Sequence, residues 1–221
     1  MTFQSQGKIY EVAVLGVREL APGTSAVRFE RPFNFVPGQF VKIGLPGFGL
    51  LREYSIYSAS QDSGLEVLVR AVDGGTLSPR LCRIRPGDVL LTEGPFGHFV
   101  ISKEAAGSRK FVFVAGGTGI APFHSMVRSR PDLNYRLLHG VSYVRELYDR
   151  DHFDRMRHTA CVTREPGGDF QGRVTALLET MPISPDEQFY FCGGNTMIMD
   201  GFRILAARGV ERNRLFAEIY F

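Results

Sequence analysis

Two domains of different class are predicted, an antiparallel β-barrel or sandwich over residues 1–104 and an α/β doubly wound parallel sheet over residues 105–221. Three observations carry this. The first half is built of short alternating runs punctuated by Pro-Gly turns, with little helix signal. The apolar run Lys110-Phe111-Val112-Phe113-Val114-Ala115 reads as a strand buried on both faces, as in a parallel sheet. Strand and helix signals then alternate to the last residue, which is the order of a doubly wound sheet.

In the first half, Tyr10–Leu15, Ser25–Glu30 and Leu65–Arg70 alternate apolar and polar residues. Phe40–Ile43 follows the turn Pro37-Gly38, and Val89–Leu91 follows Pro86-Gly87-Asp88. Between them Arg52-Glu53-Tyr54-Ser55-Ile56-Tyr57-Ser58 places an arginine, an aromatic ring and two hydroxyls in one strand-like segment. That set suits a ligand with a phosphate at one end and a flat polar ring at the other. A strand with mixed faces would look much the same. Gly74-Gly75-Thr76-Leu77-Ser78 opens either a short helix that offers backbone N–H groups to a phosphate or a plain hairpin loop.

The composition loosens at Glu104–Arg109, and the second domain begins there. Its first strand runs into Gly116-Gly117-Thr118-Gly119-Ile120-Ala121-Pro122, with an amphipathic helix predicted from Pro122 to Arg130. Strand, glycine turn and helix together point a helix N-terminus at a pyrophosphate. Strands follow at Arg136–Gly140, Thr159–Thr163, Phe189–Cys192 and Leu215–Ile219. Helices are predicted over Glu146–Phe153, near Val174–Glu179 and over Asn195–Arg208. The turn lacks the G-x-G-x-x-G spacing, and no acidic residue stands where that fingerprint wants one for a ribose. Arg164, after Thr163, and Arg173 are candidates to grip a 2′-phosphate. Cys192-Gly193-Gly194 would let a flat ring approach the backbone closely.

Composition excludes several classes. A formal net charge of +3 is too small to argue for nucleic acid, though it suits an acidic protein partner. No stretch is apolar enough to insert in a membrane. Cys82, Cys161 and Cys192 show no paired spacing, which points to a reducing, cytoplasmic setting and gives no four-thiolate cluster. The five histidines show no ligand spacing, so no metal site is expected.

Taken in order, these motifs resemble the ferredoxin–NADP⁺ reductase family over essentially the whole chain. The resemblance implies an antiparallel Greek-key β-barrel that binds FAD, followed by a pyridine-nucleotide domain. Arg52 would bind the FAD pyrophosphate, Tyr54 would stack on the isoalloxazine and Ser55 would bond near its N5. Val69-Arg70-Ala71, Gly75, Leu77 and Ser78 would complete the flavin site. Gly117, Thr118 and Pro122 would hold the nucleotide pyrophosphate. Thr163, Arg164 and Arg173 would face its 2′-phosphate, and Cys192, Gly193 and Met197 its nicotinamide. Glu218, Tyr220 and Phe221 resemble bacterial members in which a terminal aromatic covers the flavin face and must move before hydride transfer.

The implied activity is hydride transfer between NADPH and FAD, with single electrons passed between FAD and ferredoxin or flavodoxin as a separate carrier. Ser142 stands where members that bind the 2′-phosphate often carry an arginine. That leaves open an NADH-preferring oxygenase or flavin reductase component, with NAD(H) in place of NADP(H). A non-catalytic flavin-binding electron-transfer subunit is the reading from another class.

Overall fold

The computed structural model of the chain describes residues 7–102, 105, 107 and 109–220. The chain divides into two compact units with the break between Val100 and Ile101. Among the described residues no helix is long and apolar enough to cross a membrane.

The first unit contains β1 (Ile9–Ala21), β2 (Thr24–Glu30), β3 (Phe40–Gly44), β4 (Leu51–Ser55), β5 (Gly64–Arg70), the short helix α1 (Ser78–Leu81) and β6 (Val89–Phe96). The sheet order is β4-β3-β6-β1-β2-β5, with every pairing antiparallel. An antiparallel bridge between Ile56 and Val67 joins the two ends and closes the sheet into a barrel. Closure leaves no long strand edge open. The β3–β4 hairpin lies between β6 and β5, which makes the connectivity a Greek key.

Strand β1 is longer than its alternation suggests, thirteen residues in place of six. It pairs with β6 through Ile9–Ala13 and with β2 from Val14 onward, and its register shifts between Val14 and Gly16. The shift bends the strand around the barrel, so one strand serves both sides. Val12, Val14, Val27, Phe29, Val41, Ile43, Leu65, Val67, Val69 and Leu90 fill the interior, and Leu77 and Leu81 of the α1 segment join the same core.

The second unit contains β7 (Lys110–Gly116), α2 (Ala121–Ser129), β8 (Tyr135–Val141), β9 (His158–Val162), β10 (Phe170–Gln171), α3 (Val174–Thr180), β11 (Glu187–Gly194), α4 (Asn195–Ala207) and β12 (Leu215–Tyr220). Its sheet is wholly parallel in the order β10-β9-β8-β7-β11-β12. The chain therefore moves outward from β7 to β10, then returns to the far side of β7. Alternation along β7 divides the core. Val112 and Val114 pack with Val174, Leu178, Ile198 and Leu205 of α3 and α4. Phe113 faces the other way, stacked on Phe123 of α2 at 4.7 Å and on Tyr135 at 5.8 Å.

Two predicted elements take a different form. Glu146–Phe153 is not one helix but two single 3-10 turns, Val144–Glu146 and Arg150–His152. The Glu146 carboxylate accepts the backbone N–H groups of Ser142 and Tyr143, which commits the chain to a tight turn. Asp149 then takes a left-handed conformation at φ 43°, which no helix can continue through. Helix α2 is buried along Ala121–Val127, not on one face only. Its outer side is covered by this same loop, with Phe153 edge-on to His124 at 5.7 Å.

Candidate functional site

In the second unit the strand order fixes where a ligand belongs. Adjacent strands β7 and β11 have connections that leave in opposite directions, so their carboxyl ends flank a crevice at the switch point. Gly116–Gly119 leaves β7 there and Cys192–Gly194 ends β11 there, with Cys192 in register with Ala115. The two turns touch backbone to backbone. A β-carbon on Gly119 would sit 2.6 Å from the Cys192 carbonyl carbon and 2.9 Å from Gly193 N. Gly193, at φ +148°, would bring one to 3.1 Å from Gly116 N.

Glycine is thus required at Gly119 for space and at Gly193 for both space and conformation. Met197, in the first turn of α4, lines the same place, its sulfur 3.0 Å from where a Gly116 β-carbon would lie. Gly117–Ile120 forms a 3-10 turn that leads directly into α2, so Gly117 and Thr118 precede the helix and Pro122 lies in its first turn. The side chain of His139 fixes this turn from below, its Nε2 2.9 Å from the Gly117 carbonyl. Burial holds His139 down to about 4, so the ring is neutral and donates that bond.

Cys192 is fully buried. Burial first, then the Glu218 carboxylate across the β11–β12 pairing, pushes its thiol well above the ordinary range. It is a neutral, packed thiol and no nucleophile. Glu218 is in register with Cys192 and Tyr220 with Gly194, so β12 brings both to the same strand ends. Phe221 lies outside the described residues.

The ends of β8 and β9 form an edge that gathers arginines beside the Glu146 and Glu165 carboxylates, the latter accepting Val144 N–H at 2.6 Å. Arg164 and Thr163 follow β9, and Arg164 N donates to Ser142 O at 2.9 Å, joining the two strand ends. Gly172 N donates to Val162 O at 2.9 Å, which brings the exposed Arg173 to the same edge. Two residues here escape the sequence reading. Tyr143 presents its ring to Arg145 at 4.1 Å and to Arg164 at 5.8 Å. They lie between the predicted strand Arg136–Gly140 and the predicted helix Glu146–Phe153, where the sequence carries no recognisable motif.

In the first unit Arg52 and Tyr54 stand on β4. Arg52 is exposed and, among the described residues, has no carboxylate partner; its Nη1 donates only to Leu51 O at 3.4 Å. Tyr54 packs against the barrel core. Burial, then the Cys82 thiol, pushes its hydroxyl up to about 12, while Arg52 acts in the other direction. Ser55 is buried, 3% exposed, and pairs with Phe40. Val69 is in the core, Arg70 is exposed and Ala71 N donates to Gly23 O at 2.8 Å. Past β5 the chain turns back on itself, with Gly75 N donating to Val72 O at 2.8 Å and Val72 N donating to Ser78 Oγ at 3.1 Å. A β-carbon on Gly75 would crowd both Val72 O and Ser78 Oγ, at 2.9 and 3.3 Å. Leu77 is buried in the barrel, so its side chain is packing.

Closed antiparallel barrel and parallel sheet with a glycine-lined switch point are the parts of a two-domain flavin reductase, and the chain is an FAD-dependent NAD(P)H oxidoreductase. The oxidoreductase FAD-binding domain family matches residues 18–101 and the oxidoreductase NAD-binding domain family matches residues 113–201. The chain belongs to the ferredoxin–NADP⁺ reductase family. It is 32% identical to ferredoxin–NADP reductase B of Sorangium cellulosum, over 97% of this chain and 99% of that protein. It is 27% identical to the toluate 1,2-dioxygenase electron transfer component of Pseudomonas putida, over 95% of this chain and 67% of that protein. A solved ferredoxin–NADP⁺ reductase from Neisseria gonorrhoeae, with bound FAD and NADP, superposes with a TM-score of 0.86 at 25% identity, covering 98% of this chain and all of that one.

Proposed function

We propose that the chain transfers hydride between NADPH and FAD and passes single electrons between FAD and a separate ferredoxin or flavodoxin. The observation that carries the nucleotide half is the backbone contact of Gly119 with Cys192 and Gly193, which brings two glycine turns together at the carboxyl ends of adjacent parallel strands. For the flavin half, the guanidinium of Arg52, which has no carboxylate partner among the described residues, and the tight glycine turn at Gly75 suit a pyrophosphate. FAD, when bound, supplies the exchange between two-electron and one-electron transfer.

The residues of the chain then bind and orient. Arg52 offsets the charge of the flavin pyrophosphate. Tyr54, at about 12, stays protonated through the neutral range and offers its ring face for stacking and its hydroxyl as a donor. Gly117 and Thr118 present backbone to the nucleotide pyrophosphate at the start of α2, where the helix dipole favours an anion. Cys192 stands behind the nicotinamide position as a neutral, buried thiol, with Gly193 and Gly194 leaving room for the ring. Neither it nor Ser55 needs to move a proton, because hydride transfer depends on close, aligned rings.

Arg164, Arg173 and Arg145 support NADPH as the donor, since a 2′-phosphate needs guanidinium partners. One observation favours NADH. The Glu146 carboxylate sits on the Ser142 and Tyr143 N–H groups beside this edge, a charge that repels phosphate and accepts from ribose hydroxyls. An NADH-linked oxygenase component is the second reading, in keeping with the name of the Pseudomonas putida relative. Steady-state kCat/KM with both nucleotides separates them. Arg164→Ala is expected to lower the NADPH to NADH ratio at least about tenfold, the worth of one charge-assisted bond. A ratio near one in the parent, unchanged in the variant, would overturn the NADPH assignment.

A further inference from the structure

His124, Asp149 and His152 are far apart in kind of element, one in helix α2 and two in the 3-10 loop, yet the fold brings their ligand atoms together. One donor atom from each lies within 4.8 Å of the others. The Nε2 of His124 is 2.9 Å from the Nδ1 of His152. His124 is completely buried and braced by Phe153, while His152 is exposed. We propose that these three residues form a binding site for one divalent transition-metal ion, zinc by preference, that clips the 144–152 loop to α2.

Two imidazoles and one carboxylate are a donor set suited to zinc and its neighbours, and three protein ligands leave a fourth position for water. Donors around a tetrahedral zinc stand about 3.4 Å apart for bonds of about 2.0–2.1 Å. The two nitrogens at 2.9 Å need to part by only a fraction of an ångström, and the carboxylate, within 4.8 Å of both imidazoles, to close by at most ~1.4 Å. The carboxylate is delivered by a backbone held out of its usual range. Asp149, at φ 43°, is the one non-glycine residue with positive φ among the described residues. Such a conformation is unfavourable for a residue with a β-carbon and persists where the surroundings enforce it. A burial gradient completes the site, with a dry apolar side at His124 and Phe153 and an open side at His152 through which an ion can enter.

Sequence spacing hid this set, because only Asp149 and His152 are near neighbours and the segment holding them reads as helix. The proposal uses none of the residues assigned to flavin or nucleotide, so it stands or falls independently of the proposed reaction.

The experiment uses the full chain with its flavin, stripped of metal by chelation and exchanged into clean buffer. Zinc binding is followed by titration calorimetry and thermal melting, and Co²⁺ binding by its visible spectrum. Expected are one equivalent of each ion, a spectrum of tetrahedral intensity, and a rise in Tm with zinc. His152→Ala and Asp149→Asn should each weaken binding at least about tenfold. Both are mild: His152 is exposed, and asparagine tolerates the left-handed backbone as aspartate does. Turnover with the preferred nucleotide should change little in either variant. No saturable binding of either ion, or binding that survives both substitutions, would overturn the site and leave His124 and His152 as a hydrogen-bonded imidazole pair.

Discussion

Gly119 has room for one hydrogen and no more. A methyl group there would press on the Cys192 carbonyl and Gly193 N, backbone atoms that cannot rotate aside. Gly119→Ala is therefore expected to destabilise the second unit by about 1–3 kcal/mol, the usual cost of overpacking. It should also raise the KM for nucleotide, with the flavin spectrum of the protein as purified unchanged. Thermal melting and steady-state kinetics check this; a parent-like Tm together with a parent-like KM would show that the two turns are not packed as described. Chemistry alone made several other residues legible. Arg52 and Tyr54 were singled out by residue type, in a segment that a strand with mixed faces would match as well; their place at a flavin is the proposal made above. Tyr143, Arg145 and Glu146 were not, because their roles depend on a loop whose shape is set by one carboxylate bonding two N–H groups.

Strands and helices whose signal is local were readable, and elements shaped by distant partners were not. The continuous apolar run of β7 and the alternation of β5 each state their environment in a few residues. The length of β1 depends on a bulge that lets it pair with β6 and then with β2. The covering of α2 by the 144–153 loop likewise leaves no mark on the helix sequence. Beneath that loop His139 and His158 stack at 5.9 Å, and neither nitrogen of His158 has a partner among the described residues.

Burial holds His139 at about 4 and His158 at about 3, against ~6.5 in an unfolded chain. For His158 the neighbouring His139 adds to the lowering. Below about pH 6.5 the unfolded chain takes up protons that the folded rings refuse, so stability falls as pH drops towards 3 and is unaffected above that window. His158→Phe removes one such proton and an unpartnered polar ring. It should raise stability at pH 7 by about 1–2 kcal/mol and flatten the acid side of the profile. Denaturant melts between pH 4 and 8 test it, and a profile as steep as the parent's would contradict the burial argument.

On the scale of the whole chain, the assignment needs both units to carry their half of the chemistry. The barrel offers Arg52, Tyr54 and the Gly75–Ser78 turn, and the parallel sheet offers the crevice between β7 and β11. In the proposed reaction each unit binds its own cofactor and neither alone completes the transfer. The fold and the family are shared by ferredoxin–NADP reductases and by oxygenase components, so a carrier is assigned from the site and from assay and not from the fold.

The most direct measurement is an anaerobic titration of the purified protein with NADPH and then NADH, following the visible absorption of the flavin. Bound FAD that is bleached stoichiometrically by NADPH, and less readily by NADH, is the predicted result. A colourless protein that gains no flavin spectrum from added FAD, or a yellow one that neither nucleotide reduces, would contradict it.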